Sequence, residues 1–222
     1  MGRLIVIDGL DGSGKATQTA MLLDTLRAHG HPARGLSFPD YDSPSSSLVK
    51  MYLAGAFGEH PEDVNAYAAS AFYAVDRIAG YLRDWRRDYE GGVLLVADRY
   101  VTSNAIHQMA KLPSERWEEY LTWLDDFEYG RLGLPRPDRV FWLDMPPEIS
   151  RALLLERAGG VLTDLHERDL AYLARCRQAA GYVARKQGWI SIPCGGDGKP
   201  LPADDIHHTL WTALCKEIGF DD

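Results

Sequence analysis

The chain has 222 residues, 45% hydrophobic and 25% charged, with a formal net charge of −8 from 24 basic and 32 acidic side chains. That length suits one domain with a sizeable core, and the acidic balance argues against a surface that coats nucleic acid. No apolar run is long enough for a membrane helix and no leader peptide is read, so a soluble cytoplasmic protein with no membrane or nucleic-acid partner is expected.

Short apolar runs alternate with longer helical patterns. Strands are predicted at Leu4–Ile7, Ala33–Phe38, Val93–Ala97, Arg139–Leu143 and Trp189–Ile192. The middle ones are apolar on both faces, as buried parallel strands are. Helices are predicted at Lys15–His29, Ser46–Phe57, Pro61–Tyr89, Ser114–Phe127, Pro147–Arg157, Leu165–Gln187 and Ala203–Ile218. Such alternation predicts an α/β fold, a five-stranded parallel sheet flanked by helices on both faces. Cys176, Cys194 and Cys215 lack metal-ligand spacing and are expected as reduced thiols.

Between the first strand and first helix stands Gly9-Leu10-Asp11-Gly12-Ser13-Gly14-Lys15. Glycines in that position let successive backbone N–H groups converge on an anion, the helix N-terminus adds partial positive charge, and Lys15 supplies an ammonium. A Ser or Thr hydroxyl normally follows the lysine as a Mg²⁺ ligand. This chain has Ala16 and then Thr17.

Other strands end in residues suited to the same ligand-binding edge. Phe38-Pro39-Asp40-Tyr41 follows the second, and Asp98-Arg99-Tyr100 the third. Asp98 is placed to hold Mg²⁺ through water, and Arg99 to grip a second phosphate by paired hydrogen bonds. Tyr73 and Arg77 are four apart and share a helical face. A ring and a guanidinium there could stack on a base and donate to its carbonyl, favouring thymine or uracil over cytosine; an ordinary amphipathic helix would show the same spacing. Arg151, Arg157, Arg168 and Arg175 surround Ala158-Gly159-Gly160-Val161, the composition of a closing lid, although solvated arginines have that pattern too.

Together these residues resemble the thymidylate kinase family of nucleoside monophosphate kinases, nearly end to end. The carriers are Asp8 to Lys15, Phe38-Pro39, Phe72 to Arg77, Asp98-Arg99-Tyr100 with Ser103-Asn104, Pro137-Asp138, Leu143-Asp144, and Asp164-Leu165-His166-Glu167. The resemblance implies a P-loop kinase fold with a short lid at about 151–166, transfer of the γ-phosphoryl group of ATP to dTMP, Mg²⁺ near Asp11 and Asp98, and a homodimer. It places the ATP phosphates on the loop from Gly9 to Lys15 with Ala16 and Thr17, and Asp11 beside the acceptor sugar. Arg99 would clamp the acceptor phosphate, Tyr73 would stack on thymine, and Arg77 and Asn104 would mark its polar edges. Phe38, Pro39, Tyr41, Ser103, His107, Gln108, Asp164 and His166 complete the implied acceptor site. Gly12 stands where one branch of the family has its catalytic arginine, which moves that role to the lid, with Arg157 ahead of Arg151. Tyr41 stands near a common phosphate-binding arginine, and His107 where Tyr or Phe commonly flanks the sugar. A kinase for another pyrimidine monophosphate or a deoxynucleoside, or a regulator without turnover, stays open at this stage.

Overall fold

The computed structural model describes residues 1–161, 165–167 and 169–219. Five parallel strands form the sheet: β1 (Leu4–Gly9), β2 (Ala33–Ser37), β3 (Leu94–Asp98), β4 (Arg139–Asp144) and β5 (Ile190–Pro193). Their spatial order is β2-β3-β1-β4-β5. The order reverses at β1, so the loop after it emerges at the crevice where such sheets bind ligands.

All six residues of β1 are buried, and their alternation distributes them between two cores. Leu4 and Val6 face the helix Leu170–Gln187, meeting Tyr172, Leu173 and Cys176. Ile5 and Ile7 face α1 (Lys15–Ala28) and a C-terminal helix at Ala203–Ile218, meeting Leu22, Leu26, Leu210 and Leu214. Helices on both faces leave the carboxyl ends of the strands as the open rim.

The predicted strands match to within two residues. The run expected as one helix over Pro61–Tyr89 is divided. A 3-10 turn spans Pro61–Asp63, and the helix at Ala66–Gly80 starts where Asn65 Oδ1 accepts from the Ala68 N–H at 2.9 Å. That cap overrides the helical pattern before it. A π-type stretch, Tyr81–Trp85, and a short helix, Arg86–Glu90, continue the rod. Two features were not predicted: a helical stretch through Val101–Ser103 and Asn104–Gln108, and a two-residue hairpin pairing Gly195–Gly196 with Lys199–Pro200. The first was hidden because its turns are short and irregular.

Candidate active site

At the end of β1 the backbone turns through Gly12 (φ 79°) and Gly14 (φ 91°), conformations that L side chains rarely adopt. A Cβ on Gly12 would lie 2.8 Å from the Ser150 carbonyl oxygen, so only glycine lets the helix Pro147–Arg157 pack this close. A Cβ on Gly14 would meet nothing within 4 Å. No side chain caps α1 at Gly14, and its first N–H groups are left for an anion. Lys15 Nζ donates to the Leu10 carbonyl at 2.8 Å. Burial, with the Arg99 charge added, pulls that ammonium down to about 8.

Asp8, fully buried at the end of β1, ties this loop to the next strand end. It accepts from Gly9 N–H (2.8 Å), Thr102 Oγ1 (2.6 Å) and Ser103 Oγ (2.9 Å). Between the two stands Arg99, in the left-handed region at φ 67°, a strained backbone held by its N–H bond to the Ile7 carbonyl at 3.0 Å. The strain points its guanidinium back over the phosphate loop. Nη2 pairs with Asp11 Oδ1, and Nη1 donates to Ser103 Oγ at 3.1 Å and to Gly9 O at 3.3 Å. Burial alone would raise the Asp11 carboxyl, but Arg99 and Lys15 together hold it well below the usual carboxylate range. Asp98 is pushed upward, chiefly by burial.

One pocket opens beside Arg99. Phe38, Pro39 and Tyr41 of the second strand end line it, as do Tyr73 and Arg77 from the helix Ala66–Gly80. Ser103, Asn104, His107 and Gln108 close one side, and His166 and Asp11 complete the wall. The structure thus gathers the residues expected at an acceptor into a single cavity, except Asp164, which lies outside the described residues. Arg168 lies outside them as well.

Arg77 is 2% exposed and carries a partner that the sequence reading missed. Glu128, fully buried, receives Arg77 Nε at 2.7 Å and Nη2 at 2.5 Å. It also accepts Asn104 Nδ2 at 2.9 Å. The pairing crosses 51 positions, and no periodicity within one helix could reveal it. Asp76 is also committed: it accepts from Asp40 N–H at 2.8 Å and Ser45 Oγ at 2.6 Å, fixing the loop after β2.

The two arginines expected to reach the transferring group are placed differently. Arg157 is 75% exposed, with Glu167 4.0 Å away. Arg151 is half-buried, and its Nε has no hydrogen-bond partner among the described residues.

Two anion-binding devices on one sheet edge, a glycine loop and a strained arginine over a polar cavity, are what a phosphotransferase must bring together. The class is that of the P-loop kinases, enzymes that move a phosphoryl group between nucleotides. The thymidylate kinase family profile matches residues 7–195. A thymidylate kinase of Mycobacterium tuberculosis (strain ATCC 25618 / H37Rv) is 33% identical over 193 residues, 84% of this chain and 87% of that one. One from Rhodopirellula baltica is 30% identical over 181 residues, 80% of this chain and 67% of that one. A solved thymidylate kinase from Candida albicans superposes with a TM-score of 0.69 over all of this chain and 96% of the other, at 21% identity, a likeness of fold alone. The chain belongs to the thymidylate kinase family.

Proposed function

We propose that this protein transfers the γ-phosphoryl group of ATP to dTMP, giving dTDP and ADP for dTTP synthesis. The observation that carries this is the pairing of Arg77 with Asn104 around Glu128. Nε and Nη2 of Arg77 are taken by the carboxylate, and Nη1 also contacts the Tyr100 carbonyl at 3.4 Å. Nη1 has a second hydrogen for a base carbonyl. Asn104 gives its amide hydrogens to Glu128 and to the Ser70 carbonyl at 3.3 Å, which leaves its carbonyl as acceptor. One donor beside one acceptor matches the 4-carbonyl and N3–H of thymine and mismatches cytosine, whose edge is inverted. Tyr73, on the same cavity wall, would stack on the ring.

The acceptor phosphate meets Arg99, and the ATP phosphates meet the α1 N-terminus and Lys15. A dTMP phosphate oxygen attacks the γ-phosphorus as the bond to the ADP oxygen breaks. The nucleophile is already ionised, so positioning and charge neutralisation carry the rate and no strong base is needed. Arg151 or Arg157 would stabilise the transferring group once the lid segment, about 151–166, closes within a single domain spanning 1–222. The orphaned Nε of Arg151 favours it for the loop-side contact, and the exposure of Arg157 fits a group that swings in.

Asp98 and Asp11 fit Mg²⁺ as hard oxygen donors, and the Asp98 carboxylate accepts no hydrogen bond among the described residues. No cluster of three His, Cys, Asp or Glu is found among those residues, as expected of an ion that takes most of its shell from phosphates and water. When bound, the ion neutralises charge on the donor phosphates. A homodimer working in the cytoplasm completes the reading; among the described residues no helix is long and apolar enough to cross a membrane.

An ADP-release assay over dTMP, dUMP, dCMP and thymidine, with and without Mg²⁺, tests the proposal. dTMP is expected to rank first and to require the metal. A higher rank for any of the other three removes it, and ATP and dTMP binding without turnover would make the protein a regulator.

A further inference from the structure

His107 is 5% exposed, and its two ring nitrogens have different partners. Arg99 Nη1 lies 3.4 Å from Nε2, and Cys176 Sγ lies 3.6 Å from Nδ1. A guanidinium has hydrogens to give and no lone pair, so Nε2 accepts. The ring is therefore neutral, its proton sits on Nδ1, and Nδ1–H donates to the sulfur. Burial and the Arg99 charge act in the same direction on the imidazole, holding it well below its ordinary range. Tyr172 stands one turn before Cys176 on the helix Leu170–Gln187. It donates its hydroxyl to the His107 carbonyl at 2.7 Å. Backbone and ring of His107 are thus both held from the same helix.

The consequence falls on Arg99. Its Nη1 lies within reach of three neutral acceptors that share its two hydrogens, Gly9 O, Ser103 Oγ and His107 Nε2, and 3.5 Å from the Asp8 carboxylate. Nη2 is held only by Asp11, and Nε donates to nothing among the described residues. The Nε/Nη2 edge is thus left for a ligand, and it is an edge that can take two phosphate oxygens side by side. We propose that His107 is a positioning residue for Arg99: a neutral acceptor, kept in its Nδ1–H form by Cys176, that helps set which edge of the guanidinium meets the acceptor phosphate. This rests on the dTMP kinase reading above. A phenylalanine at 107 would keep a wall beside the sugar and lose the acceptor.

Nitrogen-15 NMR of the full chain, histidine-labelled, reads the tautomer directly. His107 is expected as Nδ1–H at neutral pH, and an Nε2–H ring or an imidazolium overturns the assignment. Calorimetry with dTMP gives the second readout, with melting temperature followed in each variant. His107→Phe should weaken dTMP binding about tenfold or more, the scale of a hydrogen bond to a charged group, and leave ATP affinity unchanged. His107→Gln, whose Oε1 reaches near the Nε2 position, should recover most of it. Cys176→Ser should keep the Nδ1–H tautomer where Cys176→Val loses it, which keeps the proposal testable if the phenylalanine variant fails to fold. Equal dTMP affinity in wild type and His107→Phe overturns this inference alone. A wild-type protein that binds no dTMP overturns the kinase reading with it.

Discussion

On the acceptor side of the cleft, Arg77, Asn104, Ser103 and Arg99 all have hydrogen-bond partners before a ligand arrives. At the phosphate loop and the helix packed on it, Ser13 Oγ and Arg151 Nε are buried with none among the described residues, and α1 starts uncapped. Gln108 Oε1 is the exception on the acceptor side. On the proposed reading, selectivity for the acceptor is built into a satisfied network that resists rearrangement. On the same reading the donor half is completed by phosphates and by closure, which would keep ATP from being hydrolysed early.

Breaking the donor half should cost rate and spare the fold. Of the lid arginines, the one that reaches the transferring group should lose about 10³-fold or more in kcat on replacement by alanine. Measuring Arg151→Ala and Arg157→Ala separately identifies it, with unchanged melting temperature in the exposed Arg157 variant. Two variants at wild-type kcat would remove the lid from the chemistry. Lys15→Ala should follow at about 10²–10³-fold, the cost of one donor aimed at developing charge. Loss of its cooperative melt would show instead that Lys15 supports the fold.

Breaking the acceptor half should do the reverse. Glu128→Gln keeps the volume and leaves the Arg77 guanidinium buried without a counter-charge. The expected destabilisation is about 3–5 kcal/mol, the usual result of removing one member of a buried ion pair. Chemical denaturation measures it. A change below about 1 kcal/mol, the range of exposed pairs, would mean that water reaches Arg77 and that the acceptor half is less closed than the geometry shows.

The same contrast explains what could be read from the sequence. The sheet and the phosphate loop were legible because the strands are short continuous apolar runs and the loop is contiguous, so both are local signals. Tyr73 and Arg77 were legible as a pair on one face for the same reason. Glu128, Cys176 and Tyr172 were not, since each meets its partner from another element. A buried acid opposite a buried arginine leaves no trace in spacing. Arg99 stood at a strand end where a phosphate ligand was expected, but its left-handed backbone, which aims it at the loop, could not be read from residue type. Satisfied networks are tertiary, so the half of the site that carries specificity is the half that sequence periodicity describes least.

The mildest prediction tests how dry the acceptor half is. Tyr52 Oη and His166 Nε2 lie 2.8 Å apart, Lys111 Nζ donates to the same hydroxyl at 2.8 Å, and the His166 ring stacks on His107 at 5.6 Å. Burial, then the Lys111 charge, lowers His166 from 6.5 to about 3. The unfolded chain takes up that proton near pH 6.5 and the folded chain does not until about pH 3. Its contribution to stability is therefore complete above pH 6.5 and declines as the pH falls toward 3. His107, also held low by burial and by Arg99, adds a second proton of the same sign. Lys111, lowered by burial to about 7, acts in a higher window and stays out of this one. His166→Phe should flatten the fall in unfolding free energy between pH 6.5 and 5 by about 1.4 kcal/mol per pH unit, the value of one proton. The slope is the quantity to compare, because the variant also loses the Tyr52 contact and shifts at every pH. Parallel slopes in the two proteins would mean that His166 titrates in water, and that the acceptor half shares the openness of the donor half.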